Sequence, residues 1–167
     1  EVVFAASDDQ ARPILMGVLF DVREQQMTLT AADGFRMAWR KFDINKTPAA
    51  KFTILASGVR EIIKLLADQE NVTMLVWKNM DHIRFSVPDA ELTLIALNGD
   101  YPDFSPLFDK LDKMQVKAVA SVNALSNACR ACAVIAKETS YVSKLTIASN
   151  GSEVGSLTLA ALQAEIG

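Results

Sequence analysis

Three short runs decide the fold: Val18-Leu19-Phe20-Asp21-Val22, then Met27-Thr28-Leu29-Thr30-Ala31, then Phe35-Arg36-Met37-Ala38-Trp39. Val18, Phe20 and Val22 recur at every second position, as do Met27, Leu29 and Ala31, and Phe35, Met37 and Trp39. A period of two places those side chains on one face of an extended chain. The interruptions are Glu24-Gln25-Gln26 and Asp33-Gly34, and Asp-Gly is a strong hairpin signal. The stretch therefore predicts three antiparallel strands in succession, with a loop at Thr47-Pro48.

Outward from this meander the pattern changes to strand, helix and hairpin. Phe52–Leu55 reads as a strand, and Ser57 is a candidate N-cap for the helix that follows. Val59, Ile62, Ile63 and Leu66 give that helix one apolar stripe, with Arg60, Glu61 and Lys64 away from it. Val72–Trp77, His82–Val87 and Glu91–Leu97 read as strands, the first two joined through Lys78-Asn79-Met80-Asp81. Asn98 to Pro106 is dense in turn formers and predicts a linker.

A second strand-helix-hairpin series begins beyond it. Gln115–Val122 is the expected strand and Asn123 the expected N-cap. Leu125, Ala128, Cys129, Cys132 and Ala136 form the expected apolar stripe of the helix. Lys144–Ala148 and Ser156–Ala160 are strands around Asn150-Gly151. The leading strands of the two series start at Phe52 and Val116, 64 positions apart, which predicts duplicated small α+β units. The expected division is 1–112 and 113–167. Strands without their helix precede the first series and the second lacks a final strand, so both ends are expected to be cut.

Composition narrows the function. Half of the 167 residues are apolar and 22% are charged, as in ordinary globular domains. No apolar run has the ~18 residues of a membrane span, so no membrane partner is expected. Two cysteines are too few for a disulfide scaffold, which fits a cytoplasmic setting. The net charge of −3 is unevenly spread: residues 1–112 carry 12 basic and 17 acidic side chains, and 113–167 carry 5 and 3. Tight indiscriminate nucleic-acid binding needs many more cations, whereas a single basic face remains compatible with DNA.

Local motifs for chemistry are absent. Cys129-Arg130-Ala131-Cys132 is a lone CxxC with only His82 as a further soft ligand, so no metal site is expected and both sulfurs are read as buried packing. His82 reads as an exposed turn residue without a nucleophile to serve. The seven glycines stand singly, so no phosphate loop is formed, and no cofactor is expected. Arg130 and Lys137, seven apart, share a helix face. With Arg12, Arg60 and Lys64 they are either solvated or presented to phosphates. Leu15, Phe35, Met37, Pro102 and Leu107 are apolar residues near turns, suited to core packing or to a shallow peptide groove.

These residues resemble a known family, the bacterial DNA polymerase III beta subunit, or sliding clamp. The resemblance lies in Arg12-Pro13-Ile14-Leu15-Met16-Gly17-Val18-Leu19-Phe20, in Ala32-Asp33-Gly34-Phe35-Arg36-Met37-Ala38, and in Asn98-Gly99-Asp100-Tyr101-Pro102-Asp103-Phe104. Leu157-Thr158-Leu159 with Ala164-Glu165-Ile166-Gly167 extends it. It implies an α+β clamp fold of repeated βαβββ half-domains, with antiparallel sheets outside and helices on the DNA side. The chain would cover most of the middle domain and the start of the third.

The implied function is a non-catalytic processivity factor that encircles duplex DNA as a head-to-tail homodimer ring, a ring not expected for this chain alone. Implied DNA-facing residues are Arg12, Arg60, Lys64, Arg130 and Lys137. Implied walls of a partner-peptide groove are Leu15, Ala32, Gly34, Phe35, Arg36, Met37, Pro102 and Leu107. Its partners would be the polymerase III alpha subunit, the clamp loader and other proteins carrying short apolar clamp-binding motifs. Phe35 stands where the family commonly has His and Ala32 where it commonly has a hydroxyl residue, so a more apolar groove is expected. Leu55-Ala56-Ser57 lacks the family's basic residue before the helix, and Pro106-Leu107-Phe108 departs from the usual end of the linker. A stand-alone clamp-like interaction module, and a thiol enzyme using Cys129 and Cys132, are the rival readings.

Overall fold

The computed structural model describes residues 1–77, 79, 81–104, 106–107, 116–137, 142–149 and 155–161. The chain divides into two compact units, Glu1–Asp103 and Phe104–Gly167.

In the first unit the alternating runs form β1 (Gly17–Arg23), β2 (Gln26–Ala32) and β3 (Met37–Asp43), followed by β4 (Ala50–Leu55). All pairings are antiparallel and the sheet order is β3-β2-β1-β4. Glu24 takes a left-handed φ of 50° in the two-residue turn between β1 and β2. Inward-facing Val18, Phe20 and Val22 are buried, and Phe20 sits opposite Phe52 of β4 with rings stacked at 5.1 Å. The helix α1 (Ala56–Leu65) lays Val59 and Ile62 into the same core. Three further strands, β5 (Thr73–Val76), β6 (His82–Val87) and β7 (Ala90–Ile95), form a second antiparallel sheet. Ile83 and Phe85 of β6 join the core, with the Phe85 ring 6.3 Å from that of Phe20.

Two local expectations for this unit are corrected. Phe35 is not on a strand: β3 begins at Met37, because Asp33–Arg36 closes as a turn. Ser57 lies inside α1, which starts at Ala56 directly from β4, and its N-cap Leu55 makes no side-chain cap bond. The strand therefore passes into the helix without a polar cap, and the inward packing of Ala56 fixes the start instead.

The second unit contains α2 (Val122–Ala136) and an antiparallel hairpin of β8 (Ser143–Ala148) and β9 (Ser156–Ala161). Leu157, Leu159 and Ala161 alternate inward on β9, the strand on which α2 chiefly packs. The expected strand at Gln115–Val122 is overturned over its described part: 116–121 has no regular structure and pairs with no described strand. Ser121, not Asn123, caps α2 by accepting from the Ala124 N–H at 3.4 Å. The Asn150-Gly151 turn lies outside the described residues. The burial expected for the CxxC pair also fails, since Cys129 is exposed and Cys132 half-buried. Among the described residues α2 packs on the β8–β9 hairpin with Cys132 half-buried and Ala136 buried, and Cys129, at the edge of that stripe, stays exposed.

Candidate functional site

The site is built at one corner of the first sheet. Leu19 pairs with Thr30, so the start of β1 and the end of β2 lie at the same end, where Ala32 also pairs with Met37 of β3. A short 3-10 turn, Pro13–Met16, leads into β1 and buries Leu15 at that corner. Pro at its first position supplies the fixed φ and needs no donor there. The Leu15 carbonyl accepts from the Ser7 N–H at 2.9 Å, which fixes the turn to the preceding loop.

The loop between β2 and β3 is organised by Asp33. One carboxylate oxygen accepts from the Phe35 N–H at 2.9 Å and the Arg36 N–H at 3.0 Å, and the other from Arg36 Nε at 2.9 Å. The Asp33 N–H donates to the Arg36 carbonyl, closing the turn. Gly34 takes a φ of +96°, a conformation that L side chains rarely adopt. The two backbone N–H donors hold the Asp33 carboxyl below its ordinary value, helped by the Arg36 guanidinium. This small, fully bonded turn carries Phe35 with its side chain 98% exposed.

Arg12 braces the loop from the other side. Its guanidinium reaches Asp9 at 3.4 Å and the Asp33 carbonyl at 3.3 Å. The segment after β7 completes the corner: Leu97 N–H donates to the Thr53 carbonyl at 2.8 Å, and the Tyr101 hydroxyl accepts the Ala32 N–H at 3.0 Å. Tyr101 is buried, which raises its phenol above the ordinary value, and the exposed Pro102 follows it. Behind Tyr101 a cleft of about 240 Å³ runs past Leu19, Thr53 and Leu97 to the polar side chains of Lys51, Asp81 and Asp100.

The structure thus brings together Leu15, Ala32, Gly34, Phe35, Arg36, Met37 and Pro102, with Leu15 and Ala32 buried and Met37 half-buried. Leu107 is exposed and belongs to the second unit. Two residues that organise this corner were not singled out from the sequence. Asp33 was legible as a turn residue, but its three acceptor contacts need the fold. Tyr101 carried one signal, a large aromatic (with Phe104) within an otherwise polar, turn-rich segment.

The cationic candidates other than Arg12 sit elsewhere. Arg60 and Lys64 lie on the exposed face of α1, where Lys64 pairs with Glu61 at 2.8 Å. Arg130 and Lys137 are exposed at α2 of the other unit. Among the described residues no cluster of three or more His, Cys, Asp or Glu side chains is arranged to hold a metal ion, and no helix is long and apolar enough to cross a membrane. His82 is half-exposed at the start of β6, with Nδ1 2.9 Å from an Asp81 carboxylate oxygen.

The family model for the DNA polymerase III beta subunit, central domain, matches residues 1–103. The chain belongs to that family. Residues 1–103 are also the first compact unit, so the central domain contains the whole corner described above except Leu107. Among curated relatives, the beta sliding clamp of Chlamydia pneumoniae is 28% identical over 91% of this chain and 43% of its own length. That of Bacillus subtilis is 27% identical over 99% of this chain and 46% of its own. The chain therefore spans less than half the length of these relatives.

Solved structures share the clamp fold at lower identity. The DNA polymerase III beta chain of Streptococcus pneumoniae superposes with a TM-score of 0.77 at 20% identity, covering all of this chain and 43% of that one. The sliding clamp of Bacillus subtilis gives 0.72 at 22% identity, with 98% and 45% covered. The expectation of an α+β clamp fold with antiparallel sheets is met.

Proposed function

We propose that this chain serves as part of a DNA sliding clamp, a non-catalytic factor that tethers the replicative polymerase to duplex DNA in the cytoplasm. Its task at the corner of the central domain is to receive short apolar motifs from the polymerase III alpha subunit, the clamp loader and other clamp-binding proteins. The observation that carries this reading is Phe35, exposed on a turn organised by the Asp33 carboxylate, two residues before the half-buried Met37 and on the same corner that Tyr101, next to Pro102, ties down through Ala32. A partner's Leu or Phe placed against them gains ~1.5–3 kcal/mol per side chain, less the cost of ordering the peptide. Because the loop is already ordered, little of that gain is lost on the protein's side.

The division into 1–112 and 113–167 is retained as the functional division of the chain into middle-domain and third-domain parts. Arg60 and Lys64 on α1, Arg130 on α2 and Lys137 at its C-terminal cap are the residues assigned to the DNA side, where loosely held phosphates need exposed cations rather than a shaped site. Arg12 is assigned there too, although its brace on the Asp33 carbonyl gives it a second role at the peptide corner. Ring closure in the head-to-tail manner of the family belongs to the complete assembly.

The test is a titration of the 167-residue chain with a fluorescent peptide of the Gln-Leu-x-Leu-Phe type, beside Met37→Glu. Saturable binding that weakens at least about tenfold in Met37→Glu is expected, since a charge would then be buried against the partner's apolar side chain. Absence of binding by a folded chain, or equal binding by the variant, would overturn the reading.

A further inference from the structure

The segment after β7 has a route that its composition does not explain. Turn-rich linkers ordinarily run over the surface without deep anchors. This one is tied twice to the first sheet, by Leu97 N–H on the Thr53 carbonyl and by the Tyr101 hydroxyl on the Ala32 N–H. Gly99, at a φ of +112°, turns the chain between the two ties. Tyr101 is nearly as buried as the core phenylalanines, and the Ala32 N–H it satisfies is the last backbone donor of β2 before the Asp33 turn.

We infer that Tyr101 is a positioning residue for partner recognition: its hydroxyl locks Ala32 and thereby fixes Pro102 and the Phe35 turn at a set separation. This rests on the peptide-groove reading above and deepens it. Ala32 is the hinge of the argument. It pairs with Met37 on one side and begins the turn held by Asp33 on the other, so any displacement of its backbone moves Phe35 and Met37 together. Pro102 is covalently next to Tyr101 and moves with it. The phenol therefore joins two walls of the corner that are 69 positions apart in sequence.

Without the hydroxyl, the aromatic ring still fills its place but the Ala32 N–H is left buried and unpaired. The chain relieves this by letting the end of β2 separate from the 98–102 segment and admit water. The corner then pays an ordering cost each time a peptide binds, which lowers affinity without removing any contact to the peptide.

The experiment compares the unaltered chain, Tyr101→Phe and Ile83→Val, each titrated with the Gln-Leu-x-Leu-Phe peptide and each followed by amide hydrogen exchange. Ile83→Val removes one methylene from the core at β6 and serves as a control destabilised by a similar amount away from the corner. The expected result is about tenfold weaker binding by Tyr101→Phe and faster exchange at 32–37, with β5–β7 protected as before. Ile83→Val should bind as the unaltered chain does. Binding by Tyr101→Phe equal to that of the unaltered chain, or lost equally in Ile83→Val, overturns the positioning role. Failure of the unaltered chain to bind overturns the groove reading itself and with it the role of Tyr101 in recognition.

Discussion

Arg12 Nη2 donates to the backbone carbonyl of Asp33 at 3.3 Å, and its Nη1 lies 3.0 Å from the place where a β-carbon on Gly34 would stand. The guanidinium therefore closes over a residue that has no side chain, on a turn whose φ of +96° suits glycine. Both facts concern the same two residues, and they separate two reasons for a glycine at this position: backbone conformation and the room that Arg12 occupies.

Gly34→Ala is expected to destabilise the first unit by about 1–2 kcal/mol, chiefly through the left-handed backbone. The Arg12 end is flexible and can withdraw from the new methyl group. The same substitution in an Arg12→Ala background should then cost nearly as much. Urea unfolding of the four chains of this cycle decides the matter, and a cost that disappears without Arg12 would show that the guanidinium was the obstacle.

Asp33 gives the turn a pH dependence whose sign follows from its bonds. The folded carboxyl is held below its ordinary value by the Phe35 and Arg36 N–H groups. Its contribution is complete above the unfolded value, about 4, and is lost as pH falls through the depressed folded value. Acidification should therefore loosen the Phe35 turn, with peptide affinity falling in the same range. Asp33→Asn keeps an acceptor oxygen without the charge, so its turn should be weaker at neutral pH and flat across that range. Amide shifts of Phe35 and Arg36 report the event directly; an unchanged profile in Asp33→Asn would assign the titration to another carboxylate.

Phe52→Ala tests how far the core depends on the β1–β4 pairing. The two stacked rings join neighbouring strands, and the Phe85 ring from the second sheet closes on Phe20. Deleting the Phe52 ring is expected to cost about 3–5 kcal/mol, because a cavity between two sheets collapses poorly. Chemical denaturation of the first unit would register it. A loss under about 1 kcal/mol would mean that neighbouring side chains refill the space.

Legibility in the sequence was uneven for identifiable physical reasons. The meander was readable because Val18, Phe20, Val22, Met27, Leu29 and Ala31 face one core, and a strict period of two has no other explanation. Phe35 obeyed the same period and was misplaced, since alternation cannot see that Asp33 folds the next three residues into a turn. The start of α1 was shifted because burial of Ala56, not a hydroxyl cap, sets it. At the corner, the apolar residues were visible as residues near turns, and the family resemblance grouped them. What joins them, Tyr101 on Ala32 and Arg12 on Asp33, spans 69 and 21 positions and leaves no local trace.

Cys129 and Cys132 follow from the same limit, since a helical stripe does not state how wide a surface will cover it. Cys129 is exposed on α2, whereas Cys132, nearly one turn further, is half-buried on the side that faces the hairpin. A thiol-specific maleimide should therefore label Cys129 in the native chain at least about tenfold faster than Cys132, whose labelling needs the helix to shift from its packing. Cys129→Ser should leave stability within about 0.5 kcal/mol, and Cys132→Ser should cost more because its hydroxyl replaces a sulfur in partly apolar surroundings. Mass spectrometry of a short labelling pulse distinguishes the two sites. Equal rates would mean that α2 leaves the hairpin readily, and the half-burial of Cys132 would then give it no protection.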